Sequence, residues 1–432
     1  MKTSTNSPIR SGAGKRNSAL AALALVALAE LRPALAQNYT ITYLGPLGGS
    51  NSVAVALNDF GQVTGVSLAT NGARSGFLWT PSRPNGLSGS MADIPIIPGG
   101  RAGCINNSGQ VVGGGYGGDT SATAYLWTPS NPNGPTGTVT ALDGPSRLPY
   151  VYDVGAINDA GQIVGTTYNI QCGINGCNIG DVDVTLWRSS NPHVIGPGVA
   201  WGLNSAGQIV GELSGSAMLW QANGATVLLS REAAADQYAE ALAINSAGQV
   251  AGSQGLGSTT RSFVWIPSAP NGTSGELTDL GPGFAESING VGQVVGWVIR
   301  DGVPFAWLWQ NGTLRDLNAL VPANSGWHLE EARGINDAGQ IAVSGTNASG
   351  QVHALLLTPV VQLRLTAATM LPSGQLHFAL TGEAGRSYTI QASTDLVTWA
   401  ALTNFVSTTG TNQVTDPEAP NLDRRFYRAV TP

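Results

Sequence analysis

The stretch Ile157-Asn158-Asp159-Ala160-Gly161-Gln162-Ile163-Val164-Gly165 decides the reading of this chain, because it is written seven times. The other copies begin at Leu57, Ile105, Leu203, Ile244, Ile288 and Ile335, each as apolar-Asn-x-x-Gly-Gln-apolar. Their glutamines, at 62, 110, 162, 208, 249, 293 and 340, are 48, 52, 46, 41, 44 and 47 residues apart. A period in the forties marks one supersecondary unit used repeatedly.

Each unit holds four short apolar runs. In the second unit they are Ala102 to Asn106, Gln110 to Gly113, Ala124 to Thr128 and Thr138 to Leu142. Runs this short, rich in Val, Ile, Thr and aromatics and bounded by Gly, Pro and Asn, predict strands. Asn-x-x-Gly joins the first two as a hairpin, with Asn bonding its own turn and Gly supplying the positive φ. Asn-Gly follows the third run at Asn85-Gly86, Asn133-Gly134, Asn223-Gly224, Asn271-Gly272 and Asn311-Gly312, which makes strands three and four antiparallel neighbours. The third strand ends in Trp79, Trp127, Trp187, Trp220, Trp265 and Trp309, with Leu357 in the seventh unit. One large apolar residue per unit at one position predicts a contact between units. A column of small residues on the first strand (Ala56, Cys104, Ala156, Gly202, Ala243, Ser287, Gly334) suits a crowded inner strand.

Four antiparallel strands per unit, repeated seven times, predict an all-β fold: a seven-bladed β-propeller over 37–359. The seventh unit lacks a fourth strand, and a spare one, Tyr39 to Leu44, stands near the start. It is expected to pair with Val352 to Thr358 and close the ring, leaving no open edge. Residues 360–432 leave the repeat. Leu376 to Leu380, Tyr388 to Ala392, Trp399 to Thr403 and Phe426 to Val430 predict a small β-sandwich.

Residues 1–36 read as a signal peptide: Arg10, Lys15 and Arg16, then the apolar run Ala19 to Ala29, then the small-x-small site Ala34-Leu35-Ala36. The run is too short to span a bilayer, and no later stretch is long and apolar enough. The expected protein is secreted or periplasmic, with no transmembrane segment after cleavage. Both lysines, Lys2 and Lys15, lie in the removed segment. The remainder has neither a Schiff-base nor a Walker lysine, and its acidic balance argues against nucleic acid. No cofactor is implied. Cys172 and Cys177 bracket Gly-Ile-Asn-Gly, and in an exported chain they are expected to form a disulfide. A metal site there would need more ligands.

The repeat resembles the HAF family of probable extracellular repeats, whose hallmark is Asn-x-x-Gly-Gln-Val-x-Gly followed by His-Ala-Phe-Leu-Trp. Here the second half stands as Gly76-Phe77-Leu78-Trp79, Ala124-Tyr125-Leu126-Trp127, Ser262-Phe263-Val264-Trp265 and His353-Ala354-Leu355-Leu356. Only the last keeps the His, so no family His is carried over as a site. The resemblance covers about residues 40–358 and implies an exported repeat protein without a defined activity. The tail, through Tyr388 to Leu396 and Arg425-Phe426-Tyr427-Arg428, resembles a fibronectin- or immunoglobulin-like module of secreted bacterial proteins.

In such a meander the Asn-x-x-Gly and Pro-Asn-Gly turns share one face, and loops of varying length occupy the other. One of these, Arg231 to Ala241, is Ala- and Glu-rich and fits a short helix. A rigid scaffold with variable loops is suited to recognition. Trp297, Trp327, Arg300, His328 and Tyr116 are the expected ligand contacts, with Trp297 and Trp327 flanking one cleft and the ligand an extracellular glycan or a peptide or protein. Little supports catalysis, and the chain is expected not to be an enzyme. Glu330 and Glu331 are adjacent and point to opposite sides of a strand, although carboxylates from separate units, such as Glu286 and Glu331, could pair. The alternatives are a polysaccharide hydrolase or lyase at the channel mouth and a self-associating envelope protein.

Overall fold

A computed structural model of the chain describes residues 39–430, apart from 95–100, 117–121, 149, 174–175, 190, 222–223, 232–237, 256–258, 361–362, 383–386 and 408–409. The expected signal peptide lies outside the described residues. Two compact units emerge, one from Asn38 to Pro359 and the other holding Val360 to Pro432. Both are all-β.

The larger unit contains seven four-stranded antiparallel sheets, one per repeat. Sheets one to six each take four consecutive strands, as in Gly48–Leu57, Val63–Ala69, Arg74–Pro81 and Gly89–Ile94. The seventh takes Trp327–Ile335, Ile341–Asn347 and Val352–Pro359 and borrows Tyr39–Tyr43 as its fourth strand. The register runs from Tyr39 opposite Pro359 to Tyr43 opposite Leu355. The predicted helix at Arg231 to Ala241 is replaced by strand at both ends. Arg231 closes Thr226–Arg231 and Tyr238 opens Tyr238–Ile244, with 232–237 outside the described residues. Pairing with neighbouring strands outweighs the helical propensity of Ala and Glu.

The core is a set of clusters lying between successive sheets. Trp187 of sheet three packs with Val112, Ala124 and Leu142 of sheet two, and Trp220 of sheet four with Val164, Val184 and Leu186 of sheet three. Trp79 and Phe77 of sheet one pack with Ala342, Ala354 and Leu356 of sheet seven. In sheet six Trp307 takes the deep position and Trp309 is only partly buried.

Each repeat asparagine is buried and works in two directions. The Asn158 Oδ1 accepts from the backbone N–H groups of Ala160 and Gln162, which holds its own turn. Its Nδ2 donates to Gln162 Oε1 and to the backbone carbonyl of Asn204 in the next unit at 3.1 Å. The same link to the next unit runs from Asn58, Asn106, Asn204, Asn245 and Asn289, and Asn336 returns it to the Asn58 carbonyl at 3.1 Å. The cycle requires Asn, because Asp has no N–H to donate and Gln would place its amide too far from its own turn.

The smaller unit has two three-stranded sheets, one of Arg364–Met370, Leu376–Thr381 and Thr411–Asp416, the other of Ala400–Val406, Ser387–Ser393 and Phe426–Val430. Phe378, Leu380 and Val414 of the first share a core with Tyr388 and Ile390 of the second. Two of these strands, Arg364–Met370 and Thr411–Asp416, were not among those predicted.

Candidate functional site

The first strand of each sheet carries a β-bulge just before its asparagine. In six sheets the register skips one residue: Val55, Gly155, Trp201, Leu242, Glu286 and Arg333. In sheet two it skips Gly103 and Cys104. A bulge takes a residue out of the ladder and re-aims its side chain. In sheets one to six the last Gly of the repeat motif accompanies this bulge, and sheet seven has Val343 at that position. A Cβ on Gly165 would lie 2.4 Å from the Asp153 carbonyl, and on Gly252 2.2 Å from that of Glu240, so no other residue fits.

In sheets four to seven the bulge column carries large or charged groups, and carboxylates stand beside it. Glu240 lies two residues before Leu242, and Glu331 two residues before Arg333. The Arg333 guanidinium bonds Glu331 through Nε at 3.0 Å and Nη2 at 2.8 Å, and its Nη1 lies 4.0 Å from Glu286 Oε2. Glu286 also accepts the indole N–H of Trp297 at 2.7 Å. The side chains of Arg333, Glu331 and Glu286 remain 34%, 27% and 20% exposed, so solvent and solutes reach them. Burial lowers the Arg333 pKa, but Glu286 and Glu331 outweigh it and leave the group more firmly protonated.

Glu240 differs from its neighbours. Burial, then the charge of Glu286 and more weakly that of Glu212, pushes its pKa up to about 7, against a smaller opposing effect of a hydrogen bond from Tyr238. The Tyr238 hydroxyl is raised in turn by burial and by Glu240 and Glu212. Glu240 and Glu286 thus differ in their surroundings. One is shielded from compensating charge; the other is held by an indole N–H and faces a guanidinium. In the same bulge column the Trp201 Nε1 is buried without a hydrogen-bond partner.

The residues expected as ligand contacts are distributed among three places. Trp297 belongs to the carboxylate cluster, where it stacks on Phe284, its cross-strand partner, with centroids 4.4 Å apart. That stack and the bond to Glu286 give it a role particular to this sheet. Trp327 instead joins Tyr43 and His353, each 5.6 Å away by ring centroid, and ties the Tyr39–Tyr43 strand to sheet seven. Arg300 pairs with Asp316 at 3.0 Å and sits over the Phe305 ring at 5.2 Å. His328 meets the other edge of this group, 4.8 Å from Phe305, and donates from Nε2 to the Pro304 carbonyl at 2.8 Å. The two indoles thus take part in separate clusters. Tyr116 ends the Val111–Tyr116 strand, and its side chain lies outside the described residues. Glu286 and Glu331 do converge, through Arg333. Glu330 turns away to accept from the Thr346 hydroxyl.

Sequence reasoning missed Glu240, Arg333, Tyr238 and Trp201. The available signal was the position three before each repeat Asn, which reads Val55, Gly103, Gly155, Trp201, Leu242, Glu286 and Arg333. That column marks Trp201 and Arg333; Glu240 belongs to the position five before the Asn, which reads Val53, Arg101, Asp153, Val199, Glu240, Phe284 and Glu331 and is likewise neither uniformly small nor uniformly apolar.

Cys172 stands directly opposite Cys177 in the register of the Ile163–Gly173 and Gly176–Arg188 hairpin, and the Cys177 side chain lies outside the described residues. Cys104 is free of any disulfide, its thiol donating to the Gly155 carbonyl. Among the described residues no group of three or more His, Cys, Asp and Glu is placed to hold a metal ion. No described helix is long and apolar enough to cross a membrane.

A concavity of about 310 Å³ lies at the other end of the first strands, lined by the repeat asparagines, the apolar residues before them and the residues after them. Its rim includes Asp59, Asn107 and Asp159, and Asn107 Nδ2 donates to both aspartates.

No family model matches the chain, and no curated protein matches it. Solved structures that resemble it include the acylaminoacyl peptidase of Pyrococcus horikoshii, at 10% identity over 77% of this chain and 58% of that one, with a TM-score of 0.45. A mutant of AofleA from Arthrobotrys oligospora matches at 9% identity over 88% of this chain and 92% of that one, with a TM-score of 0.34. A glycoside hydrolase matches at 10% identity over 64% and 93%, with a TM-score of 0.24. The chain spans 58% of the length of the peptidase. The expectation that the chain is not an enzyme is corrected here: a peptidase and a glycoside hydrolase stand among these structures. Catalysis found little support in the sequence because the carboxylates, arginine and indole of separate repeats meet only once the sheets are assembled.

Proposed function

We propose that the chain is an exported seven-bladed β-propeller of HAF-like repeats, closed by its N-terminal strand, that recognises an extracellular glycan at the end of its axis where the inner strands begin. Its C-terminal unit is taken as a fibronectin- or immunoglobulin-like module, and Cys172–Cys177 as a disulfide, which leaves one reactive thiol, Cys104, on denatured unreduced protein. Support for closure comes from the fourth-strand pairing of Tyr39–Tyr43 and from the hydrogen-bond cycle of the seven asparagines.

The observation that carries the functional reading is the convergence on Arg333 of Glu286 and Glu331, from two different sheets, with Trp297 behind Glu286. Sugar hydroxyls both donate and accept, which suits carboxylates and a guanidinium held side by side. Hydrogen bonds to charged groups contribute about 1.5–3 kcal/mol each, so losing one costs roughly tenfold or more in affinity. The test is binding of the mature protein to a glycan array, beside its Arg333→Ala variant. Selective binding that falls at least tenfold in the variant, at unchanged melting temperature, is the expected result. An array without bound glycan, or equal binding by both proteins, overturns the reading.

A further inference from the structure

We propose that the loop joining Ser387–Ser393 to Ala400–Val406 in the C-terminal unit attaches the protein to a phospholipid bilayer, with Leu396 and Val397 entering the surface and Arg424 and Arg428 holding headgroup phosphates. The inference is independent of the glycan reading and concerns the smaller unit alone.

The loop is closed by its own polar side chains. Ser393 Oγ accepts from the backbone N–H groups of Asp395 and Leu396 at 3.2 and 2.9 Å, and Asp395 Oδ1 accepts from those of Val397 and Thr398 at 2.8 and 2.7 Å. The turn therefore needs no apolar residue, yet it presents two. Leu396 is 56% exposed and Val397 83%. Leu396 also stands at φ 65°, a left-handed conformation that Gly or Asn adopts with little strain and Leu does not. It takes no part in the core of this unit, which gathers around Phe378, Leu380 and Ile390. Strain kept at an exposed position points to a role outside folding.

What flanks the tip favours a bilayer. On one leg of the loop Arg424 donates from Nε to the Thr394 carbonyl at 3.0 Å. On the other leg Arg428 lies over the Trp399 ring at 4.3 Å, and the Trp399 indole donates to the Leu396 carbonyl at 3.2 Å. Both arginines are exposed. Arg425 between them is spent on Asp416, whereas neither Arg424 nor Arg428 forms an ion pair with a described residue. A guanidinium matches a phosphate through paired hydrogen bonds, and Trp is a side chain that settles at the boundary between headgroups and acyl chains. Asp395 and Asp423 offset the two cations in formal charge, so the apolar tip supplies most of the attachment and the guanidiniums orient it. A protein partner would need more surface. Stable interfaces bury about 1,200–2,000 Å², and this tip offers two apolar side chains on a protruding turn.

The experiment sediments the mature protein with vesicles of phosphatidylcholine and phosphatidylglycerol in equal parts. Wild type is expected in the vesicle pellet. Val397→Asp is expected to lower the partition coefficient by about tenfold. Leu396→Gly should weaken binding comparably at a melting temperature no lower than that of wild type, because Gly meets the left-handed φ without strain. Replacing both Arg424 and Arg428 by Gln should weaken binding severalfold. Wild type left in the supernatant, or any of these three variants binding as wild type does, overturns the inference. A wild-type dimer that forms without vesicles and that Val397→Asp converts to monomer also overturns it, by assigning the tip to a second copy of the chain.

Discussion

The two ends of the same seven inner strands follow opposite rules. At the asparagine end every repeat supplies the same group in the same place, and each side chain is consumed by its own turn and its neighbour's carbonyl. At the other end, a few residues earlier on each strand, the column runs from Val55 through Gly155 to Trp201, Glu286 and Arg333. The difference teaches how a repeat fold divides its residues. Links between units have to be identical for successive sheets to stack the same way. Recognition and chemistry need different groups side by side, so they fall where the repeat is irregular. The bulge connects the two, because it is repeated in every sheet yet aims a different side chain in each.

If this division is right, damage at the regular end falls on stability. The largest effect is expected from deleting 37–45. This removes the fourth strand of sheet seven, unpairs Leu355 to Pro359 of the Val352–Pro359 strand and separates Trp327 from Tyr43. An unpaired flat edge recruits other chains, so the truncated protein should elute as aggregate in size-exclusion chromatography. A monomer with an unchanged melting temperature would refute closure by this strand.

Next in size is Asn336→Ala. Asn336 donates to the Asn58 carbonyl, Asn85 Oδ1 and Gln340 Oε1 and accepts from the Gln340 N–H, all in buried or half-buried surroundings. Leaving such groups unpaired costs about 1–3 kcal/mol each, and partial relaxation makes about 3 kcal/mol the expected total in urea unfolding. A loss below about 0.5 kcal/mol, the range of ordinary surface changes, would break the comparison by making the cycle ornamental.

The irregular end should carry a stability cost that depends on pH. The folded pKa of Glu240 is raised from 4.5 to about 7. Between these values the folded state holds a proton that the unfolded state has released, so this residue makes stability fall as pH rises from about 4.5 to about 7 and then level off. Glu240→Gln should flatten that part of the pH profile, with a difference on the order of 1–3 kcal/mol at pH 8 relative to pH 4.5. Parallel pH profiles for wild type and variant would place Glu240 in water rather than in the cluster.

Much of the regular end was legible in the sequence. Asn158, Gly161 and Gln162 recur with their spacing, and the small column at Ala156 and Gly202 marked the inner strand. The irregular end was legible only in fragments. Trp297 stood out because no other unit has a Trp there, but its partners Phe284 and Glu286 lie across a strand pair that had first to be assigned. Glu240 was hidden by its Ala- and Glu-rich surroundings, which fit a helix until pairing with sheet five's next strand overrides them. Arg333 was hidden by the bulge, since strict alternation along Glu331-Ala332-Arg333 gives no reason to join it to Glu286 of another repeat. Trp327 and His328 are adjacent in sequence and diverge in space, the first toward Tyr43 and the second toward Phe305.

The most direct test sets one variant from each end against the other in a single binding experiment. Asn245→Ala and Arg333→Ala would be applied to the glycan array with wild type, at a temperature below all three melting transitions. Asn245 links sheets five and six through the Asn289 carbonyl at 2.9 Å, so its loss should lower the melting temperature and leave the array pattern intact. Arg333→Ala should leave the melting temperature nearly unchanged and abolish the pattern. Binding lost in Asn245→Ala and kept in Arg333→Ala would contradict the account and move recognition to the asparagine end.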